Sequence, residues 1–352
     1  MKELNVKTGR PYKIYIERNI INECGEYIAK VTNAQKVMII SDTNVAPLYL
    51  EKVKISLEKQ GFVVFSYVFK AGEQSKKLET ICEMYNALAE ASFSRSDLVV
   101  ALGGGVTGDM AGFASATYQR GIKFVQIPTS LLAQVDSSVG GKTGVDIPQG
   151  KNLVGAFWQP SLVLIDPDTL NTLPQEFYED GMAEVIKYGC IKSKPLFEKL
   201  EKEDTREIIE DIILECVDIK RQVVENDEQE KGERMLLNFG HTLGHSLEKT
   251  YKFETLSHGQ AVAIGMVIMT RASEEKGLTE KGTTKRLMEL IKKCNLPLSD
   301  KTDLKIITDN AFTDKKSNGD YISIVIIDKI GKSRTKKMLK TELYGFCSVK
   351  GE

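Results

Sequence analysis

Leu98-Val99-Val100-Ala101-Leu102-Gly103-Gly104-Gly105-Val106-Thr107-Gly108-Asp109 is a short apolar run that passes directly into a glycine loop. The run reads as a strand, and a helix is expected to follow over Met110–Thr117. Glycines at such a turn let the backbone approach a pyrophosphate, and the helix N-terminus offers unpaired N–H groups and positive dipole. A tight strand-to-helix turn without a ligand would carry the same pattern. The acidic ribose partner usual about 20 residues on is also missing, because Lys123–Ile127 ends in Pro128-Thr129. Asp42-Thr43-Asn44, after the strand Lys36–Ile40, is an earlier candidate for that contact.

Similar runs flank this one at Lys36–Ile40, Phe62–Phe69, Lys123–Ile127 and Leu162–Ile165. Helical patterns at Pro47–Gln60 and Lys77–Ala91 have crossover lengths, so the first half reads as a parallel, Rossmann-like sheet. Leu4–Lys7 and Lys13–Ile16 suggest an opening hairpin around Gly9-Arg10-Pro11. After Asp166-Pro167 the 3.6-residue period takes over, in Gln175–Tyr188, Thr205–Glu225, Arg234–Thr250, His258–Lys276 and Lys281–Cys294. One late hairpin, Tyr321–Asp328 with Ser333–Leu339, turns through Gly331. A boundary near 166–173 therefore divides an α/β domain over 1–168 from a mainly α-helical domain over 169–352.

A length of 352 residues suits two domains. The net charge of −1 gives no field to recruit nucleic acid or an acidic membrane, so an anionic ligand must be gripped by local basic residues. The start, Met1-Lys2-Glu3-Leu4, lacks a signal-peptide core, and Ala261–Met269 is too short to span a bilayer. Six scattered cysteines without a C-x-x-C pair fit reduced thiols in the cytosol. Val139-Gly140-Gly141-Lys142-Thr143 suggests a phosphate loop, but Asp136 stands where that motif requires glycine, which disfavours a nucleoside-triphosphate enzyme.

The three histidines, His241, His245 and His258, fall within 18 residues. His241 and His245, at i and i+4, share a helix face and are the pair that spacing nominates as metal ligands. Gly240 and Gly244 on the preceding rung would admit another chain or a ligand. Glu184, an acid in an apolar helical turn with Lys187 at i+3, is the natural carboxylate partner; a solvated ion pair is the plainer reading of those two.

Taken in order, these motifs resemble the 3-dehydroquinate synthase family over nearly the whole chain. The matches begin with Gly72-Glu73-Gln74-Ser75-Lys76, the loop Gly103 to Asp109, and Tyr118-Gln119-Arg120-Gly121. They continue through Pro128 to Thr143 and Gly150-Lys151-Asn152-Leu153-Val154-Gly155. The second half adds Gly181 to Gly189, Leu237 to His245, and His258-Gly259-Gln260-Ala261-Val262-Ala263-Ile264-Gly265-Met266. The resemblance implies that Glu184, His241 and His258 hold zinc or cobalt while His245 faces the substrate. It implies NAD contacts at Asp42, Asn44, Glu73, Lys76, Gly104, Gly105, Val106, Thr107, Gly108, Asp109, Thr129, Ser130, Lys142, Lys151, Thr169, Leu170, Asn171 and Thr172. Substrate contacts carry over to Asp136, Lys142, Asn152, Lys187, Lys220, Arg234, Asn238, His245 and one of Lys315 or Lys316. Arg120 would reach a neighbouring subunit's site in a homodimer.

The implied substrate is 3-deoxy-D-arabino-heptulosonate 7-phosphate, whose carboxylate and phosphate account for so many cations in a nearly neutral chain. The implied reaction is a transient NAD-linked oxidation, phosphate elimination, reduction and aldol closure. Three departures stand out against the family: Ala71 where aspartate is usual, Gln260 where glutamate is usual, and Ile326-Ile327 for Leu-Pro. Ala71 bears on nucleotide affinity, and Gln260 is expected behind His258. Another sugar-phosphate cyclase, a metal-dependent polyol or glycerol dehydrogenase, and a non-catalytic nucleotide sensor are the competing readings. The basic cluster speaks against the dehydrogenase, since an uncharged polyol needs no such grip.

Overall fold

A computed structural model describes residues 1–251, 255–311 and 319–349. Its strands are β1 (Lys2–Val6), β2 (Tyr12–Ile16), β3 (Lys36–Asp42), β4 (Val63–Phe69), β5 (Leu98–Gly103), β6 (Lys123–Pro128), β7 (Lys142–Ile147), β8 (Gly150–Phe157) and β9 (Leu162–Ile165), with β10 (Tyr321–Lys329) and β11 (Lys332–Leu339) near the end. The first helices are α1 (Cys24–Ala29), α2 (Ala46–Glu58), α3 (Leu78–Glu90) and α4 (Gly105–Thr117). Then come α5 (Gln175–Ile191), α6 (Lys194–Lys202), α7 (Ile209–Asn226), α8 (His241–Thr250), α9 (His258–Glu275), α10 (Thr283–Lys293), α11 (Leu304–Asn310) and α12 (Leu343–Cys347). The chain forms two compact units, Met1–Pro174 with Lys220–Glu228, and Gln175–Ile219 with Gln229–Glu352.

The first unit is built on a seven-stranded sheet in the order β1-β2-β9-β6-β5-β3-β4. Only the β1–β2 hairpin is antiparallel; β2 to β4 run parallel. A parallel sheet is covered on both faces, which is why its strands read as unbroken apolar runs. Val37, Ile39, Leu98, Val100 and Leu102 pack on one side with α1 and α2. Met38, Ile40, Val99 and Ala101 pack on the other with residues of α3 and α4, including Met84, Leu88, Met110 and Ala114. The architecture is the expected α/β half followed by a mainly helical half.

Three sequence expectations change. The helix after β5 begins at Gly105, not Met110, because the extended backbone of Gly104 places its carbonyl to accept the Gly108 N–H at 3.0 Å. Val106 to Asp109 thus lie in the first turns of α4. Residues 142–157 form a β7–β8 hairpin with Gly144 opposite Gly155, an element not foreseen. The periodic segment Arg234–Thr250 is not one helix. A 3₁₀ turn over Glu233–Asn238 ends before Gly240, which is left-handed at φ 80°, and α8 starts at His241.

In the second unit α5 is buried from Gly181 to Ile191, and α9 buries residues on every face, as expected of a central helix. A Cβ on Gly240 would lie 2.7 Å from the Val262 carbonyl oxygen of α9. The bare backbone of α8 therefore admits a helix of the same chain, not a ligand or a second chain. Among the described residues, no helix is long and apolar enough to cross a membrane.

Candidate metal centre and nucleotide loop

Glu184 stands midway along α5, 1% exposed. His241 is the first residue of α8, set by the turn at Gly240. His258 is the first residue of α9, fixed by a capping box in which Ser257 and Gln260 exchange hydrogen bonds. These starts bring His241 Nε2 to 3.4 Å and His258 Nε2 to 3.5 Å from Glu184 Oε1. Ligand atoms about 2.1 Å from one ion at tetrahedral angles stand about 3.4 Å apart, so both spacings from Glu184 Oε1 match those of ligands sharing a zinc-sized ion. One ligand atom from each of the three residues lies within 4.8 Å of the others. Two imidazoles and a carboxylate suit zinc or cobalt and leave a position for substrate.

The other ring nitrogens are also engaged. His241 Nδ1 is 3.1 Å from the Phe239 carbonyl oxygen, and His258 Nδ1 is 3.6 Å from Glu248 Oε1. Burial lowers the His241 pKa to about 3, with Lys187 and the other histidines acting in the same direction against Glu184. Burial opposes charge on His258 too, but Glu184 and Glu248 outweigh it and raise its pKa to about 10. Glu184 also pairs with Lys187, and both side chains are buried. The solvated-pair reading of those two is overturned: α5 is a core helix.

His245 is exposed, its ring centred 5.4 Å from His241 and 6.1 Å from His258. It belongs to a second possible group with Glu248 and His258. Glu248 escaped the sequence reading, although it follows His241 and His245 at i+7 and i+3 on one face of α8. Gln260, expected behind His258, instead accepts from the Ser257 N–H at 3.2 Å. The Ser257-His258-Gly259-Gln260 spacing of a capping box was the available signal.

Arg234 is fully buried in the 3₁₀ turn, and Asn238 Nδ2 donates to Glu230 Oε1 at 2.8 Å. Lys315 and Lys316 lie outside the described residues.

In the first unit the glycine loop opens α4 as a strand-to-helix turn. Asp42 Oδ1 accepts from the Asn44 and Val45 N–H groups, and its Oδ2 accepts from Thr107 Oγ1 at 3.2 Å. Lys76 Nζ is 2.6 Å from Asp109 Oδ2 and 2.7 Å from Asn152 Oδ1. Lys151 Nζ stands 3.7 Å from Glu73 Oε1. Glu73, Lys76, Asp109, Lys151 and Asn152 thus form one polar cluster. The Ala71 N–H donates to Thr43 Oγ1 at 3.0 Å.

Thr129 is buried and its N–H donates to the Gly103 carbonyl at 3.0 Å, while Ser130 lies beside Gly104. Thr169 to Thr172 follow β9 in a 3₁₀ turn, where Leu170 is buried and Thr172 Oγ1 meets the Tyr49 hydroxyl at 2.5 Å. Lys220 Nζ pairs with Asp136 Oδ2 at 3.0 Å. Lys142 is exposed at the start of β7. Arg120 is exposed and left-handed, at φ 63°.

A family model described as 3-dehydroquinate synthase N-terminal matches residues 66–180, and one described as 3-dehydroquinate synthase C-terminal matches residues 181–317. A curated 3-dehydroquinate synthase of Clostridium acetobutylicum is 48% identical over 355 residues, covering 99% of this chain and 100% of its own. Among solved structures, a 2-deoxy-scyllo-inosose synthase complexed with carbaglucose-6-phosphate, NAD+ and Co2+ has a TM-score of 0.88 at 24% identity, over 98% of this chain and 99% of its own. A 2-epi-5-epi-valiolone synthase from Streptomyces hygroscopicus subsp. jinggangensis 5008, with NAD+ and Zn2+ bound, has a TM-score of 0.85 at 25% identity, over 95% of each chain.

Proposed function

The chain belongs to the 3-dehydroquinate synthase family, and from that premise we propose that it converts 3-deoxy-D-arabino-heptulosonate 7-phosphate to 3-dehydroquinate and phosphate. It is then a phosphorus–oxygen lyase of the shikimate pathway, serving chorismate and aromatic amino acid synthesis. The observation that carries this reading from family to chemistry is the Glu184 carboxylate oxygen 3.4 and 3.5 Å from two imidazole nitrogens. NAD would supply a hydride acceptor and donor, and a zinc or cobalt ion held by Glu184, His241 and His258 would supply Lewis acidity.

The residues of the chain divide the remaining work. Glu184, His241 and His258 hold the cation. The N-terminal turn of α4 offers backbone N–H groups to the cofactor's pyrophosphate, with Glu73, Lys76, Asp109, Thr129, Ser130 and Lys151 positioning the nucleotide. In the first unit Asp136, Lys142, Asn152 and Lys220 serve substrate binding; in the second, Lys187, Arg234 and Asn238 do so. Lysine and arginine suit this task because charge-assisted hydrogen bonds select carboxylate and phosphate over neutral hydroxyls. His245, the exposed histidine, moves protons to and from the substrate. The working form is a cytoplasmic homodimer in which Arg120 serves the neighbouring site.

The test is phosphate release from the heptulosonate phosphate with catalytic NAD+ and zinc. Release that stops with a chelator and returns with zinc is the expected result; none under any metal overturns the proposal. Accumulation of NADH with glycerol would support the polyol dehydrogenase instead. A sugar phosphate lacking the carboxylate should release no phosphate, which separates this reading from another cyclase.

A further inference from the structure

Both histidines of the metal set turn Nε2 to Glu184 Oε1 and have an oxygen facing Nδ1, at 3.1 Å for His241 and 3.6 Å for His258. For His241 the acceptor is the backbone carbonyl of Phe239, two residues away, so its orientation is fixed by the chain itself. His258 opens its helix, and its Nδ1 faces a side chain from a different helix, Glu248 of α8. Glu248 is 2% exposed, where a carboxylate is seldom found unless paired. An imidazole presents its two nitrogens in opposite directions. A carboxylate held behind Nδ1 therefore selects the tautomer with its lone pair on Nε2, aims the ring, and raises its basicity toward a metal.

We propose that Glu248 is the positioning residue of the metal centre, orienting His258 from behind without touching the ion. The inference rests on the assignment of Glu184, His241 and His258 as the metal set. It also gives the His245, Glu248 and His258 group a role other than a second cation site, because Glu248 acts on His258 through the ring nitrogen turned away from Glu184.

The experiment is cobalt binding to the purified chain, read by competition with a chromophoric chelator and by the visible cobalt spectrum, for wild type, H241A, E248Q and E248A. Melting temperatures of the metal-free proteins report folding. Loss of an outer-shell partner typically lowers metal affinity 10–100-fold. E248A should weaken cobalt by that range, and E248Q, which keeps an acceptor of the same shape without the charge, by about tenfold at an unchanged melting temperature. Both should retain the wild-type pattern of cobalt bands, whereas H241A should change or abolish it. E248Q gives a reading even if E248A fails to fold. Wild-type affinity in E248Q, with H241A impaired, overturns the positioning role alone. A cobalt spectrum altered in E248Q as strongly as in H241A makes Glu248 a ligand and also overturns it. Failure of the wild-type chain to bind cobalt, or wild-type binding by H241A, overturns the metal assignment beneath it.

Discussion

Lys76 Nζ and Asp109 Oδ2 meet at 2.6 Å, tying the segment before α3 to the first turns of α4. Lys76 is 5% exposed. Burial disfavours its ammonium, but Asp109 and Glu73 outweigh that and raise its pKa, while burial raises the Asp109 pKa against the pull of Lys76. K76M removes one partner and leaves the Asp109 carboxylate uncompensated. We expect a loss of about 3 kcal/mol in urea unfolding, with NAD affinity down at least tenfold by fluorescence titration. Unchanged stability would show that water already compensates Asp109.

Gly240 is where backbone conformation sets the proposed metal centre. Alanine there must adopt a left-handed φ and place its Cβ 2.7 Å from the Val262 carbonyl oxygen and 2.6 Å from Met266 Cγ. G240A should cost at least about 2 kcal/mol and lower zinc content by displacing His241. Thermal melts and metal analysis of the same preparation check both effects.

If Glu184 holds a cation as proposed, Lys187 competes with that cation for one buried carboxylate. Like charges a few ångströms apart repel by several kcal/mol even at an effective dielectric of about 20. K187M should therefore bind zinc about tenfold more tightly while turning over at least a hundredfold more slowly. Weaker zinc binding in K187M would mean that the ammonium positions Glu184 instead of opposing the ion.

Acid stability has a local contributor in Asp97. It is buried and accepts hydrogen bonds from the Lys36 N–H and from the Ser94 N–H and hydroxyl. Burial opposes its charge, yet those bonds prevail and lower its pKa. A folded pKa below the unfolded value means stability present above about pH 4 and lost as pH falls through the folded value. D97N should cost about 1–2 kcal/mol at pH 7, and its gap from wild type should be smaller at about pH 3. Urea unfolding at the two pH values measures this.

The sheet was legible because a parallel strand buried on both faces has to be apolar throughout, as Val99 and Val100 of β5 are. The β7–β8 hairpin was not. Gly140-Gly141 just before it drew a phosphate-loop comparison that Asp136 disfavours, and the hairpin's own Gly155 serves close strand approach: a Cβ there would stand 2.2 Å from the Thr143 carbonyl oxygen. Spacing paired His241 with His245, since neighbours on one helix are visible in sequence. The contact of His258 with Glu184 depends on where α5 and α9 pack, which periodicity cannot report. Glu248 was hidden for the same reason, although its place on the face of α8 was readable.

Zinc content per chain in H245A and H258A, measured on proteins purified without added chelator, is the most direct test of this metal centre. H245A should keep the wild-type amount of zinc while losing turnover, and H258A should lose the metal. Zinc lost from H245A and kept by H258A would contradict the assignment and restore the pair that helical spacing alone suggests.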